Sequence, residues 1–168
     1  LQGRHLDNGE VLGADETGAL YVKVYTVMTG YWGKPEATAE VLDSYGWLNT
    51  GGVALIRPDG HVVFVCRHKD MLKVGGENVS PAEVEGYLLE VDGVEEIAVV
   101  GYPDERLVEV PVAFVVSSTD LLAEDLIERC RGKIASFKIP RHVVFVEEMP
   151  VTPSGKIRKI ELREWALD

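Results

Sequence analysis

The sequence predicts an α+β protein, with a β-rich subdomain over 1–69 followed by a compact α+β domain over 70–168. Three observations predict it. A Pro58-Asp59-Gly60 turn separates two β-rich runs in the first part. A charged connector, Arg67-His68-Lys69-Asp70-Met71-Leu72-Lys73, then interrupts the apolar pattern and leads into Gly75-Gly76. Beyond Ser80 the periodicity alternates between helix and strand to the end of the chain.

Each element has a local cause. Leu20-Tyr21-Val22-Lys23-Val24 reads as a strand after the Thr17-Gly18 turn. Residues 35–42 read as a short helix with Pro35 in its first turn, where a missing N–H costs nothing. Residues 53–56 and 61–65 form the two arms of the hairpin. Ser80-Pro81-Ala82-Glu83 opens a helix, with Ser80 as N-cap and Glu83 completing a capping box. Val84, Leu88 and Val91 give that helix one apolar stripe. Strands are expected over 95–102, 110–117 and 142–147. A helix is expected over 122–134 with Leu122, Leu126, Ile127, Cys130 and Ile134 inward, and another over 160–166. The strands of 1–66 are expected to form only a partial subdomain, with exposed edges and hence a tendency to self-associate.

With 28 acidic against 17 basic residues, the net charge of −11 argues against a nucleic-acid or membrane-surface binder. The basic residues that exist cluster at 67–73, 129–141 and 156–163, which suits a small anionic molecule. No apolar run approaches the roughly 18–20 residues of a membrane span. Cys66 and Cys130 share no motif with each other or with the scattered His5, His61, His68 and His142. We therefore expect reduced thiols, a cytoplasmic location and no bound metal. There is no initiator Met, as expected of a cut or processed chain.

The most informative stretch is Pro150-Val151-Thr152-Pro153-Ser154-Gly155-Lys156-Ile157-Arg158-Lys159. Two prolines and a glycine shape a loop that carries Lys156, whose compact ammonium suits phosphate or carboxylate oxygens. Taken alone, these ten residues read more simply as a solvated basic turn before a helix. Other blocks change that reading: Gly30-Tyr31-Trp32-Gly33-Lys34-Pro35-Glu36-Ala37-Thr38, Gly46-Trp47-Leu48-Asn49-Thr50-Gly51, the connector 67–73, Gly75-Gly76-Glu77-Asn78-Val79-Ser80-Pro81, Val110-Pro111-Val112-Ala113-Phe114-Val115 and Phe137-Lys138-Ile139-Pro140-Arg141. In this order, over about 9–162, they resemble the C-terminal portion of the adenylate-forming enzymes, in the acyl-CoA synthetase branch.

The resemblance implies a two-step ligase. A carboxylic acid attacks the α-phosphate of ATP, with magnesium, to give an acyl-AMP. The thiol of coenzyme A then takes the acyl group. It implies that 1–69 ends the AMP-binding domain, whose larger part is missing here, and that 70–168 is the mobile C-terminal domain. Lys156 matches the family's adenylation lysine, which would offset charge building at the α-phosphate. Asp70 matches the hinge about which the small domain turns. Arg67 and Thr50 match nucleotide-binding positions. Lys73, Gly75 and Gly76 match the segment lining the pantetheine path, although a tight hairpin turn accounts for the two glycines equally well.

Three departures stand out, one of them Cys66 where the family usually has glycine before the arginine. Gly52 occupies the place of an aspartate that accepts bonds from both ribose hydroxyls; losing such an acceptor costs about 1.5–3 kcal/mol. Val108 occupies a position where the family commonly has glycine. The phosphate-binding loop and acyl pocket are not in the chain, so it is not expected to adenylate, or to bind a cofactor tightly, by itself. Two alternatives stay open. One is a catalytically decayed remnant or binding module. The other is an adenylation domain serving a carrier protein, which the Gly-Gly-Glu-Asn-Val-Ser-Pro block disfavours.

Overall fold

The computed structural model describes residues 1–166; Leu167 and Asp168, at the end of the expected 70–168 domain, lie outside the described residues. The chain divides into two compact units, Leu1–Lys69 and Asp70–Asp168. The expected α+β class is observed.

The first unit is a four-stranded antiparallel sheet in the order β1 (Gln2–Arg4), β2 (Thr17–Val22), β3 (Leu48–Ile56), β4 (Val62–Arg67), with helix α1 (Pro35–Val41) between β2 and β3. The β3–β4 hairpin turns at the expected Pro-Asp-Gly site: Arg57 N–H donates to His61 O at 2.8 Å and Gly60 N–H to Arg57 O at 2.9 Å. Asp43 closes the turn before β3 by accepting the N–H groups of Tyr45 and Trp47, which hold its carboxyl below the usual range. Strand β1 carries no sequence signal beyond a Gln-Gly-Arg triplet and was not expected. Its Arg4 lies over the Tyr21 ring at 4.1 Å and pairs with Asp43 at 3.4 Å.

The second unit is built on the antiparallel hairpin of β7 (Val94–Asp104) and β8 (Val108–Ser117). β8 also pairs with β5 (Leu72–Val74), which pairs with β6 (Glu77–Val79), and, in parallel, with β9 (His142–Phe145). A parallel neighbour needs a crossover, and α3 (Ala123–Cys130) supplies it. Successive strand residues point to opposite faces. Ile97, Val99, Ala113 and Val115 therefore join Val84 and Leu88 of α2 (Pro81–Leu88) and Leu126 and Cys130 of α3. Ala98, Val100, Val112 and Phe114 join Met149 and Leu162, the latter from α4 (Lys159–Trp165). Covering both faces explains why β7 and β8 read as unbroken apolar runs.

Three local expectations need correction. Ser80 stands at the N-cap of α2, but its side chain makes no capping bond, and its buried Oγ has no partner. Glu83 does not complete a capping box; its carboxylate takes the Lys138 ammonium at 2.6 and 2.8 Å instead. An ammonium held by both carboxylate oxygens outcompetes a single bond from a neutral backbone N–H. The helix expected over 122–134 ends at Cys130, before Gly132 with φ 69°, and Leu122 is exposed; Leu121 packs on the core in its place. The cysteines are buried thiols, and burial pushes the Cys130 thiol up.

Candidate functional site

Lys156 lies on a small closed hairpin. Val151 and Ile157 pair as an antiparallel bridge, and Arg158 N–H donates to Pro150 O at 2.7 Å. Within it, Thr152 N–H donates to Lys156 O at 2.8 Å, Gly155 N–H to Thr152 O at 2.8 Å, and Lys156 N–H to Thr152 Oγ1 at 3.1 Å. Gly155 supplies the positive φ of 77° that the reversal requires. Buried Met149 on one side and half-buried Ile157 on the other fix the hairpin to the α4 face of the sheet.

The backbone of Lys156 is thus set, while its side chain is exposed. Its ammonium has no hydrogen-bond or ion-pair partner among the described residues. The neighbouring cations differ. Arg158 pairs with Glu161 and Lys159 with Glu85, both at 2.6 Å, and Lys138 pairs with Glu83. Arg158 and Lys159 thus balance acidic side chains within the unit.

In the same unit, Gly75 and Gly76 form the two-residue turn between paired Val74 and Glu77, with φ of 60° and 92°. Such a turn needs positive φ at both positions. Gly75 N–H donates to Leu107 O at 2.8 Å, and a Cβ on Gly75 would meet Leu107 Cδ2 at 3.1 Å, whereas Gly76 faces open space. Lys73 precedes the turn, exposed, with its N–H donated to the Glu109 carboxylate. Asp70 ends a 3-10 turn, His68–Asp70, at the division between the units.

In the first unit, Arg67 ends β4 directly across from Gly52. It lines an open cavity of about 700 Å³ with Glu40, Val41, Gly51, His68 and Lys69. That volume lies in the range of small-molecule sites, and its cationic side chains suit an anion. Glu40 and Val41 were not singled out in the sequence, because nothing local distinguishes them from the rest of an exposed helix. The Thr50 hydroxyl donates to Leu20 O at 2.9 Å and accepts the Gly52 N–H at 3.1 Å. A Cβ on Gly52 would meet the exposed Phe64 ring at 3.2 Å and Thr50 Oγ1 at 3.3 Å. Among the described residues, no group of three or more His, Cys, Asp or Glu is placed to hold a metal ion. Among the described residues, no helix is long and apolar enough to cross a membrane.

The model of the AMP-binding enzyme C-terminal domain matches residues 83–156, a stretch that ends on Lys156. The chain carries an AMP-binding enzyme C-terminal domain. Medium-chain acyl-CoA ligase ACSF2, mitochondrial, of Mus musculus is 44% identical over 162 residues, covering 95% of this chain and 26% of the relative. ATP-bound MatB from Rhodopseudomonas palustris superimposes with a TM-score of 0.93 at 32% identity, over 99% of this chain and 34% of that one. The amide bond synthetase McbA from Marinactinospora thermotolerans gives a TM-score of 0.89 at 37% identity, over 98% of this chain and 34% of that one. The chain therefore spans about a quarter of that curated relative and a third of the two solved structures.

Proposed function

We propose that this chain is the C-terminal part of an acyl-CoA synthetase, which converts a carboxylic acid and ATP to an acyl-AMP and then to an acyl-CoA. The observation that carries this reading is the contrast on the hairpin. Lys156 keeps an ammonium without a partner among the described residues on a fixed backbone, while Arg158 and Lys159 beside it are paired.

Lys156 acts in the first step. Negative charge accumulates where the carboxylate meets the α-phosphate, and an ammonium already in place stabilises it without reorganising. Arg67 and Thr50 belong to nucleotide binding; the cationic wall of the cavity beside Arg67 fits phosphate, and Glu40 is the carboxylate that lines it. Gly76, with open space at its Cα, lets backbone lie close to a narrow pantetheine arm, with Gly75 anchoring the turn and Lys73 beside it. Asp70 is the hinge between an AMP-binding domain that ends with 1–69 and a mobile domain over 70–168. ATP with magnesium and coenzyme A are the co-substrates, the remainder of the AMP-binding domain is the partner, and the setting is cytoplasmic. The exposed Phe64 on edge strand β4 supports self-association through 1–66, read by sedimentation against concentration.

The test is Lys156→Ala in the complete ligase. Acyl-AMP formation falls by about two orders of magnitude or more, whereas thioester formation from supplied acyl-AMP stays near normal. Equal losses in the two half-reactions refute the assignment. The likeness to McbA, an amide bond synthetase, favours a second reading in which the acceptor is not coenzyme A. Supplying coenzyme A, a carrier-protein thiol and an amine to the same acyl-AMP separates these acceptors.

A further inference from the structure

Glu85 makes contacts that neither the helix it belongs to nor the hairpin carrying Lys156 explains. It lies on α2, over one face of the sheet, and Lys159 opens α4, over the other. One Glu85 oxygen, Oε1, reaches around the edge of the sheet to Lys159 Nζ at 2.6 Å and also accepts the Val99 N–H at 2.7 Å. Val99 is on β7, an outer strand of this sheet, and its N–H points away from β8. A single carboxylate therefore fastens three elements: a helix on each face and the strand edge between them.

The pair is well placed to matter. Its side chains are 20% and 23% exposed, so solvent screens it less than it would a surface pair. Lys159 is three residues past Lys156 and one past Arg158, whose N–H closes the hairpin on Pro150. Ile157 and Leu162 hold this segment only through apolar contact, which permits sliding; a charge-assisted bond of fixed direction does not.

We propose that Glu85 is a positioning residue for Lys156. Through Lys159 it fixes the point at which the lysine hairpin leaves the sheet, and so fixes where the free ammonium is presented. The proposal rests on the reading of Lys156 as the adenylation lysine and names the group that holds it in register.

Two variants isolate the tether. Glu85→Gln keeps an acceptor for Val99 N–H and removes the charge, whereas Lys159→Met removes the ammonium and leaves Glu85 on Val99. Amide hydrogen exchange on the full chain is the first readout. In both variants the amides of Thr152, Lys156 and Arg158 exchange about fivefold to tenfold faster, while those of Ala113 and Val115 keep their rates. Lys159→Arg retains the pair and restores slow exchange. Unchanged hairpin exchange in both variants overturns the proposal, as does uniform acceleration that includes β8, which marks general loss of stability.

The second readout uses the complete ligase. Both variants lower kcat for acyl-AMP formation about tenfold, with KM for ATP and the thioester step little changed, and Lys159→Arg rescues. Normal adenylation in both, beside an inactive Lys156→Ala enzyme, overturns the tether alone. Normal adenylation by Lys156→Ala removes the reading of Lys156 itself, and with it the purpose of the tether.

Discussion

Val108 pairs with Val74 at the single register point joining β5 to β8, and it does so with φ at 72°. Positive φ in a β-branched residue is a backbone outlier. Val108 is also largely exposed, so its side chain gains little in return. The strain sits beside Leu107, whose carbonyl holds the Gly75 N–H.

Val108→Gly should therefore stabilise the second unit. Relief of left-handed strain is worth about 1–2 kcal/mol, and the added freedom of the unfolded chain takes back about half, leaving roughly 0.5–1 kcal/mol. A urea titration reads this as a higher midpoint at unchanged slope. A lower midpoint would mean that the valine side chain contributes contacts its exposure conceals.

Ser80→Ala gives the opposite of the usual N-cap result. A working cap loses about 1 kcal/mol on this change. Here the hydroxyl is buried without a partner, so removing it leaves stability unchanged or raises it by up to about 1 kcal/mol. A loss of 1 kcal/mol or more would show that the hydroxyl does bond in solution.

Asp104 links acidity to the β7–β8 turn. Its Oδ1 accepts the N–H groups of Leu107 at 2.8 Å and Arg106 at 2.9 Å, and these bonds hold the carboxyl below its ordinary value of 3.8. A carboxyl lowered in the folded state contributes stability above the unfolded value, and that contribution is lost as pH falls through the lowered one. The unfolding midpoint of the second unit should thus drop with acidification below 3.8, and less steeply in Asp104→Asn. Parallel profiles for the two proteins would assign the acid sensitivity elsewhere.

Gly52→Asp should tighten ATP binding in the complete ligase by about ten- to hundredfold, through the ribose hydroxyls. Space exists if the exposed Phe64 ring yields a few tenths of an ångström. Calorimetry with ATP and its 2′,3′-dideoxy analogue decides it, since the gain should be confined to ATP. An equal gain with both ligands would place the new carboxylate away from the ribose.

What could be read from the sequence follows the range of the forces involved. The Pro-Asp-Gly hairpin, the two apolar strands and the proline–glycine hairpin around Lys156 are set by residues close together in the chain, and they formed as expected. The two halves of the capping box failed separately: Lys138, 55 positions away, claims the Glu83 carboxylate, and the Glu83 N–H goes to Ser80 O at 3.2 Å rather than to the hydroxyl. Leu122 failed because the helix begins only at Ala123: Leu122 is its N-cap, in extended backbone, and Leu121 packs on the core instead. Nothing local marks Glu85, since its partner Lys159 is 74 positions away. Val108 was legible as an oddity, and its backbone angle now gives the reason glycine suits that place.

The parallel seating of β9 on β8 has a consequence for how the protein is made. The β7–β8 hairpin joins neighbours in sequence, so it can form as soon as residue 117 has been synthesised. β9 must wait for the crossover through α3, and the Lys156 hairpin follows β9. Its anchors, Met149, Ile157 and Leu162, have nowhere to settle until Ala98, Val100, Val112 and Phe114 already present a face. The Lys156 ammonium is therefore held at a fixed place only in molecules whose sheet is complete, and a chain cut short before β9 leaves the flank of β8 at 112–115 bare, a ready seam for aggregation.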